Sequence, residues 1–143
     1  MILVVNGPNL NLLGERKPEV YGSEGLDRVE QDLREIAATE DQELKFFQSN
    51  HEGEIIDFLH ENRKTASGVL INPGALTHYS YSLRDALEAI DLPAVEVHIS
   101  DIKNREDFRA KSVIEPVAIH QVAGKGLEGY EIGFQKLLKR IGG

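Results

Sequence analysis

Short apolar runs alternate with amphipathic segments along the whole length of this 143-residue chain. The runs predict five β-strands, namely Ile2–Asn6, Leu44–Gln48, Val69–Ile71, Ala94–Ile99 and Val117–Val122. Between the runs, apolar residues recur at helical spacing, as Val29, Leu33 and Ile36 do. Because strands separated by helices are joined by right-handed crossovers, this alternation predicts a parallel sheet with helices on both faces.

The order of elements predicts an α/β fold, a flavodoxin-like three-layer sandwich whose five-stranded parallel sheet has the strand order 2-1-3-4-5. Further helices are predicted around Ile55 and Leu59, over Ser80–Ile90, and at the end of the chain around Phe134. The charged stretch Asp101–Lys111 is predicted to be irregular. No repeat or linker interrupts the pattern, so residues 1–143 are predicted to form a single domain.

The composition excludes several classes of function. A formal net charge of −8 argues against a nucleic-acid partner or an anionic membrane surface. The chain has no cysteine, which excludes disulfides, thiolate metal sites and a cysteine nucleophile. The first apolar run is too short for a signal peptide, and no later run approaches a membrane span. We therefore expect a cytoplasmic protein.

Polar side chains follow three strands that the predicted topology makes neighbours. These residues are, in chain order, Asn6, Asn9, Asn72, His78, His98 and Ser100. Ligands of open α/β sheets bind beyond the carboxyl ends of the strands, near the switch between strands 1 and 3. The three segments are therefore predicted to bring amides and imidazoles to one crevice.

The fourth strand carries two ionisable residues, Glu96 and His98, on the face opposite Val95 and Val97. Central parallel strands are usually apolar on both faces. Two residues apart, Glu96 is close enough to orient His98 and to stabilise its charge, which suits proton transfer near neutral pH. A half-buried ion pair near a strand end explains the same pattern, so both interpretations stand at this point.

The loop after the first strand carries Arg16 and Tyr21. Free tyrosine has a pKa near 10 and is a poor base at neutral pH. The attraction between a tyrosinate and a guanidinium about 4 Å away is roughly 4 kcal/mol at an effective dielectric constant near 20. This attraction would lower the pKa of the tyrosine by about 3 units, whereas burial would raise it. This pair is therefore either a source of tyrosinate or an exposed tyrosine beside a solvated basic pair.

Two further segments have both a structural and a functional interpretation. The segment Asn72–His78 is either part of a site or a strand-to-helix turn with Thr77 or His78 near the N-cap. The cluster of Arg105, Arg109 and Lys111 either clamps a carboxylate or lies on a solvated helix face.

Five motifs run in order from the first strand towards the final helix. They are Asn6-Gly7-Pro8-Asn9-Leu10, the Arg-x-Pro-x-x-Tyr-Gly pattern at Arg16–Gly22, Asn72-x-Gly-x-Leu-Thr-His78, Leu83-Arg84-Asp85-Ala86, and Glu96–Ser100 followed by Arg105–Arg109. Each motif alone is weak evidence for a protein family, but five motifs in this order are specific to one. On these motifs the chain resembles the type II 3-dehydroquinate dehydratases over essentially its whole length.

The resemblance implies an anti elimination of water from 3-dehydroquinate through an enolate, which gives 3-dehydroshikimate in the shikimate pathway. It implies that Tyr21 is the base that removes the proton next to the ketone and that Arg16 holds it as tyrosinate. Asn9 would help to hold a water or a donor at the enolate oxygen. His98, with Glu96 behind it, would protonate the departing hydroxyl.

The resemblance also implies the binding residues and the assembly. The substrate-binding positions are Asn72, His78, Asp85, Ile99, Ser100 and Arg109. Arg109 is the expected partner of the substrate carboxylate, whereas Asp85 is a position that the family supplies from a neighbouring subunit. Members of the family form dodecamers, built as a tetramer of trimers, and need neither a metal nor an organic cofactor.

Two alternatives belong to other classes of protein. The first is a flavodoxin-like binding or signalling domain that kept the crevice and lost catalysis, and the intact Tyr21 and His98 argue against it. The second is a Schiff-base dehydratase, which the chain length and the lack of a lysine at a strand end of the crevice oppose. One local departure from many relatives is Lys17, which stands where they carry an acidic or amide residue.

Overall fold

The computed structural model describes residues 1–15 and 24–142. Its five strands are β1 (Ile2–Asn6), β2 (Leu44–Gln48), β3 (Gly68–Asn72), β4 (Ala94–Val97) and β5 (His120–Val122). They pair in parallel in the order β2-β1-β3-β4-β5, so the predicted topology is confirmed. β1 is an interior strand, buried along its whole length and apolar on both faces from Ile2 to Val5, as is usual for a parallel strand.

Two strands are shorter than the sequence predicts. β4 ends at Val97 rather than at Ile99, although the His98 N–H still donates to the carbonyl of Val122, 2.8 Å away. β5 begins at His120 rather than at Val117, because Glu115–Val117 forms a turn of 3₁₀-helix. Pro116 lies in that turn, and a proline has no N–H to donate to a strand ladder.

The helices are α1 (Leu26–Thr39), α2 (Glu52–Asn62), α3 (Tyr81–Ile90), α4 (Asp107–Ala110) and α5 (Glu128–Gly142). α4 is one short turn in the stretch predicted to be irregular. The N-cap of α3 is Ser80, whose Oγ accepts from the N–H of Leu83. Thr77 and His78 were expected near the N-cap, and they lie three and two residues before Ser80, in a separate 3₁₀ segment, Gly74–His78.

The helices form two outer layers. α2 and α3 pack on the face that carries Leu3 and Val5, and α1 and α5 pack on the face that carries Ile2 and Val4. Successive side chains of β1 point to opposite faces of the sheet, so this strand contributes to two apolar cores. Within the two ranges that the structure describes, no helix combines the length and the apolar character needed to span a membrane.

Close backbone contact joins the loops that follow β1 and β3. The Gly7 N–H donates to the carbonyl of Asn72 over 2.8 Å, and a Cβ at Gly7 would lie 2.4 Å from the carbonyl oxygen of Pro73. Gly74 has a φ of +61°, which favours glycine. The two glycines therefore let both loops meet at the carboxyl edge of the sheet.

Candidate active site

A cavity of about 320 Å³ lies beyond the carboxyl ends of β1, β3 and β4. This volume is at the lower end of the usual range for small-molecule sites. Seven of the predicted site residues line it, namely Asn9, Asn72, His78, His98, Ile99, Ser100 and Arg109. The strand order thus brings together three segments that are far apart along the chain.

Glu96 and His98 are in direct contact behind the cavity wall. His98 Nε2 lies 2.5 Å from Glu96 Oε2, and both residues are buried. A carboxylate can only accept a hydrogen bond, so Nε2 carries the proton of this contact. His98 itself lines the cavity, and Nδ1 is its second nitrogen. The pair can therefore deliver a proton from an imidazolium whose charge the carboxylate stabilises.

Glu96 is fully buried, yet its carboxylate is surrounded by donors. Besides His98, the hydroxyls of Thr77 and Ser112 and the amide of Gln121 contact it. Burial by itself raises the pKa of Glu96. The pKa is nevertheless lowered overall, because the hydrogen bond and the charge of His98 and the hydroxyls of Thr77 and Ser112 stabilise the carboxylate. The side chain is therefore an anion at neutral pH.

Three of the groups around Glu96 were not recognised as site residues in the sequence. From the sequence, Thr77 is a motif residue near the N-cap of a turn, and nothing distinguishes Ser112 or Gln121 locally. Ser112 also accepts from the N–H groups of Ile114 and Glu115, which ties the segment after α4 to Glu96. Only spatial proximity to a buried carboxylate identifies them.

Asn9 begins the loop that forms one wall of the cavity. It has a φ of 71°, a conformation that asparagine tolerates better than most residues. Its N–H donates to Asn50 Oδ1 over 2.9 Å, and Gln48 Nε2 donates to the carbonyl of Gly7 over 3.1 Å. The end of β2 thereby holds the Asn9 loop in place, a role that the sequence did not reveal.

The side chain of Asn72 is hydrogen-bonded at both ends. Its Oδ1 accepts from the N–H of Gly74 over 3.1 Å, and its Nδ2 donates to the hydroxyl of Tyr130 over 3.0 Å. Tyr130 in turn donates to Asn6 Oδ1 over 2.5 Å. Burial raises the pKa of Tyr130, so this phenol stays protonated.

His78 lines the cavity from the 3₁₀ segment that follows β3. Its Nδ1 contacts the carbonyl of Lys111 at 2.8 Å and therefore donates, which leaves Nε2 as an acceptor in the neutral ring. The ring also meets the edge of Phe108 with 6.4 Å between centroids. These contacts join the loop after β3 to the segment around α4.

Arg109 and Arg105 bring positive charge to the rim of an acidic protein. The Arg109 guanidinium pairs with Glu106 at 3.1 Å and stacks over Phe108 at 5.3 Å from the ring centroid. The Arg109 side chain remains about half exposed, so its guanidinium can still reach an anion in the cavity.

Two predicted site residues in the described ranges do not line this cavity. Asp85 is exposed on α3 and lies outside the lining, and Glu96 stands behind His98. Arg16 and Tyr21 lie outside the described residues, so the predicted base and its partner stay predictions. No group of three or more His, Asp or Glu side chains within residues 1–15 and 24–142 is arranged to hold a metal ion.

These features define a class: a doubly wound α/β protein with a polar, histidine-bearing cleft at the carboxyl edge of a parallel sheet. The chain matches the family model described as Dehydroquinase class II over residues 1–138. It is 54% identical over 140 residues to the 3-dehydroquinate dehydratase of Halothermothrix orenii, covering 98% of this chain and 95% of that protein. The chain belongs to the class II dehydroquinase family.

Two further comparisons agree. The chain is 52% identical over 141 residues to the 3-dehydroquinate dehydratase of Bacillus subtilis, covering 99% of this chain and 95% of the relative. Among solved structures, the type II dehydroquinase of Butyrivibrio crossotus has a TM-score of 0.91 to this chain at 46% identity, with 95% of each chain covered. The resemblance seen in the motifs is therefore confirmed.

Proposed function

We propose that this protein is a 3-dehydroquinate dehydratase of the shikimate pathway and removes water from 3-dehydroquinate by anti elimination through an enolate. The observation that carries the proposal is the buried Glu96–His98 pair facing a small polar cavity in a member of this family. A proton beside a ketone is weakly acidic, so the reaction needs a strong base on one side and a separate acid at the leaving hydroxyl.

His98 is the acid in this proposal. The Glu96 carboxylate holds the proton on Nε2 and stabilises the imidazolium, so that Nδ1 delivers its proton to the departing hydroxyl and water leaves. Thr77, Ser112 and Gln121 keep Glu96 charged by donating to its oxygens. A lowered pKa of Glu96 suits this role, because a neutral glutamic acid would not stabilise the imidazolium.

Tyr21 is the proposed base, and Arg16 keeps it ionised and stabilises the developing charge. The tyrosinate takes the proton next to the ketone, the electron pair moves into the enolate, and Asn9 helps to hold a water or a donor at the enolate oxygen. Asn9 lies in the cavity wall, as this role requires.

Five cavity residues are proposed to bind the substrate: Asn72, His78, Ile99, Ser100 and Arg109. The half-exposed guanidinium of Arg109 suits the substrate carboxylate, because a planar fork can make two parallel hydrogen bonds. The Nε2 of His78 and the amide of Asn72 suit the hydroxyl groups of the ring.

We further propose that residues 1–143 form one catalytic domain in a cytoplasmic dodecamer, arranged as a tetramer of trimers. The position of Asp85 supports a shared site, because it lies on α3 outside the cavity lining of its own chain.

In sedimentation velocity we expect a species far larger than a monomer. Mixed oligomers of the inactive Asp85→Ala and Tyr21→Phe variants should regain activity, because some sites then receive both intact residues. Full activity in a monomer would contradict the shared site.

The reaction itself is tested by mixing the protein with 3-dehydroquinate and following the ultraviolet absorbance of the conjugated enone product. We expect a rise that survives a chelator and is unaffected by borohydride, because neither a metal nor a Schiff base takes part. No lysine lines the part of the cavity that the structure describes, which supports the second expectation. No rise from the folded protein would contradict the proposed function. Loss of activity with either reagent would contradict the corresponding part of the mechanism.

A further inference from the structure

Tyr130 joins the ends of two central strands from the opposite side of the sheet. It lies in the first turns of α5, is 1% exposed, and belongs to the core beneath β1 and β3. Asn6 and Asn72 are register partners at the last positions of those two strands. The phenol oxygen of Tyr130 lies within hydrogen-bond distance of both amides.

The hydrogen-bond roles in this group are determined by the number of protons. A phenol has one proton, and Tyr130 donates it to Asn6 Oδ1. Its oxygen can then only accept from Asn72, so Nδ2 of Asn72 must face Tyr130. The N–H of Gly74 requires an acceptor, so Oδ1 of Asn72 must face Gly74. Rotating this amide by half a turn would place two donors against each other at Gly74.

The orientation of Asn72 has a consequence for the cavity that it lines. One hydrogen of Nδ2 is committed to Tyr130, and the other is available to a ligand. We propose that Tyr130 is a positioning residue, which fixes the amide of Asn72 so that Asn72 presents an N–H donor to an oxygen of the substrate. This inference rests on the proposed function and extends it to a residue that does not line the cavity.

The packing of α5 explains how a helix on the far face of the sheet reaches this point. A Cβ at Gly129 would lie 3.4 Å from Val97 Cγ1, and a Cβ at Gly133 would lie 2.9 Å from Val97 Cγ2. Two glycines one turn apart therefore allow α5 to approach the strands closely. Tyr130, beside the first of them, then reaches the carboxyl edge of the sheet.

The test compares Tyr130→Phe with the wild type under steady-state conditions. The variant keeps the ring and loses the hydroxyl, so the amide of Asn72 is no longer held at its nitrogen. We expect KM for 3-dehydroquinate to rise about ten-fold, the scale of one hydrogen bond, with kcat changed by less than about two-fold. An unchanged KM in an active, folded variant would overturn the proposal.

A double-mutant cycle separates positioning from a general loss of stability. In an Asn72→Ala background, the Tyr130→Phe substitution should raise KM no further, because Tyr130 acts through an amide that is already absent. If instead the rise of KM in the double variant were the product of the rises in the two single variants, the proposal would be overturned. Phe134→Leu is the matched control: it weakens the same helix face, where Phe134 is fully buried, without touching the amides. An equal rise of KM in Phe134→Leu would also overturn it.

The proposed function and this inference fail in different ways. If the wild type does not convert 3-dehydroquinate, the proposed function fails. If the wild type is active and KM of Tyr130→Phe equals the wild-type value, only the positioning role of Tyr130 fails.

Discussion

At the scale of the residue, the chemistry depends on how the environment sets protonation states. Glu96 is fully buried and still charged, because His98, Thr77, Ser112 and Gln121 all donate to it. Isolated burial of a carboxylate would instead favour the neutral acid. The hydrogen bonding around this carboxylate thus supports the proposed role of the neighbouring His98 as an acid.

Replacing Glu96 by glutamine should therefore damage catalysis more than binding. Glu96→Gln removes the charge that stabilises the imidazolium of His98, and we expect kcat to fall about a hundred-fold with a small change of KM. Steady-state kinetics on the folded variant measures both. Glu54→Gln is the matched control, since Glu54 also accepts from a serine but lies outside the cavity lining. A kcat of Glu96→Gln within about two-fold of the wild type would contradict the assigned role.

The proposed base makes a second prediction at this scale. Tyr21→Phe should lower kcat by at least about a thousand-fold while leaving the melting temperature nearly unchanged, because a phenyl ring cannot accept a proton. Arg16→Ala should come close to the same loss. Tyr81→Phe, at an exposed position of α3, serves as the control. Near-normal turnover by Tyr21→Phe would show that another group is the base, even in a member of this family.

At the scale of the element, close packing of α5 on the sheet matters more than helix propensity. Ordinarily a change from glycine to alanine within a helix gains about 1 kcal/mol. At Gly133 the new Cβ would lie 2.9 Å from Val97, 3.0 Å from Leu70 and 3.2 Å from Val95, all in the core. Overpacking of a core costs about 1–3 kcal/mol, so the contacts outweigh the propensity.

We therefore expect Gly133→Ala to lower the free energy of unfolding by about 1 kcal/mol, measured by urea denaturation. The matched control is Gly53→Ala in α2, where an added Cβ meets nothing within 4 Å. That variant should be as stable as the wild type or more stable by up to about 1 kcal/mol. Stabilisation by both substitutions would mean that α5 moves away from the sheet at little cost.

At the scale of the whole molecule, the charge of Glu96 links folding to pH. Its pKa is lowered below the ordinary value of 4.5 in the folded protein, so the native state binds this proton more weakly than the unfolded chain does. The stability that Glu96 contributes is therefore present above about pH 4.5. It is lost as the pH falls from there through the lower pKa of the folded state.

The prediction is a pH-dependent difference between the wild type and Glu96→Gln. The free energy of unfolding of the wild type should fall more steeply than that of the variant as the pH drops below about 4.5. Denaturation at several pH values, with one fixed protein concentration because the protein is expected to be oligomeric, measures the difference. Parallel curves from about pH 7 to about pH 3 would contradict the lowered pKa.

The sequence by itself determined the order of the elements, the topology of the sheet and the faces that its strands present. β1 and β2 were predicted with the bounds that the structure has, because the apolar period is a local property. β5 was predicted three residues too long, because Val117 belongs to the 3₁₀ turn Glu115–Val117 and the strand begins only at His120. The motifs also identified the family, and seven of the predicted site residues line one cavity.

Only the tertiary structure decided which groups set the chemistry of those residues. Glu96 meets Ser112 and Gln121, 16 and 25 positions away, and Asn72 meets Tyr130, 58 positions away. Such partners have no local signature. The sequence around a serine, a glutamine or a tyrosine does not show whether its side chain is exposed to solvent or bonded to a buried carboxylate or amide. Periodicity reports which face a side chain occupies, whereas hydrogen bonding depends on atoms that the fold brings within about 3 Å of one another.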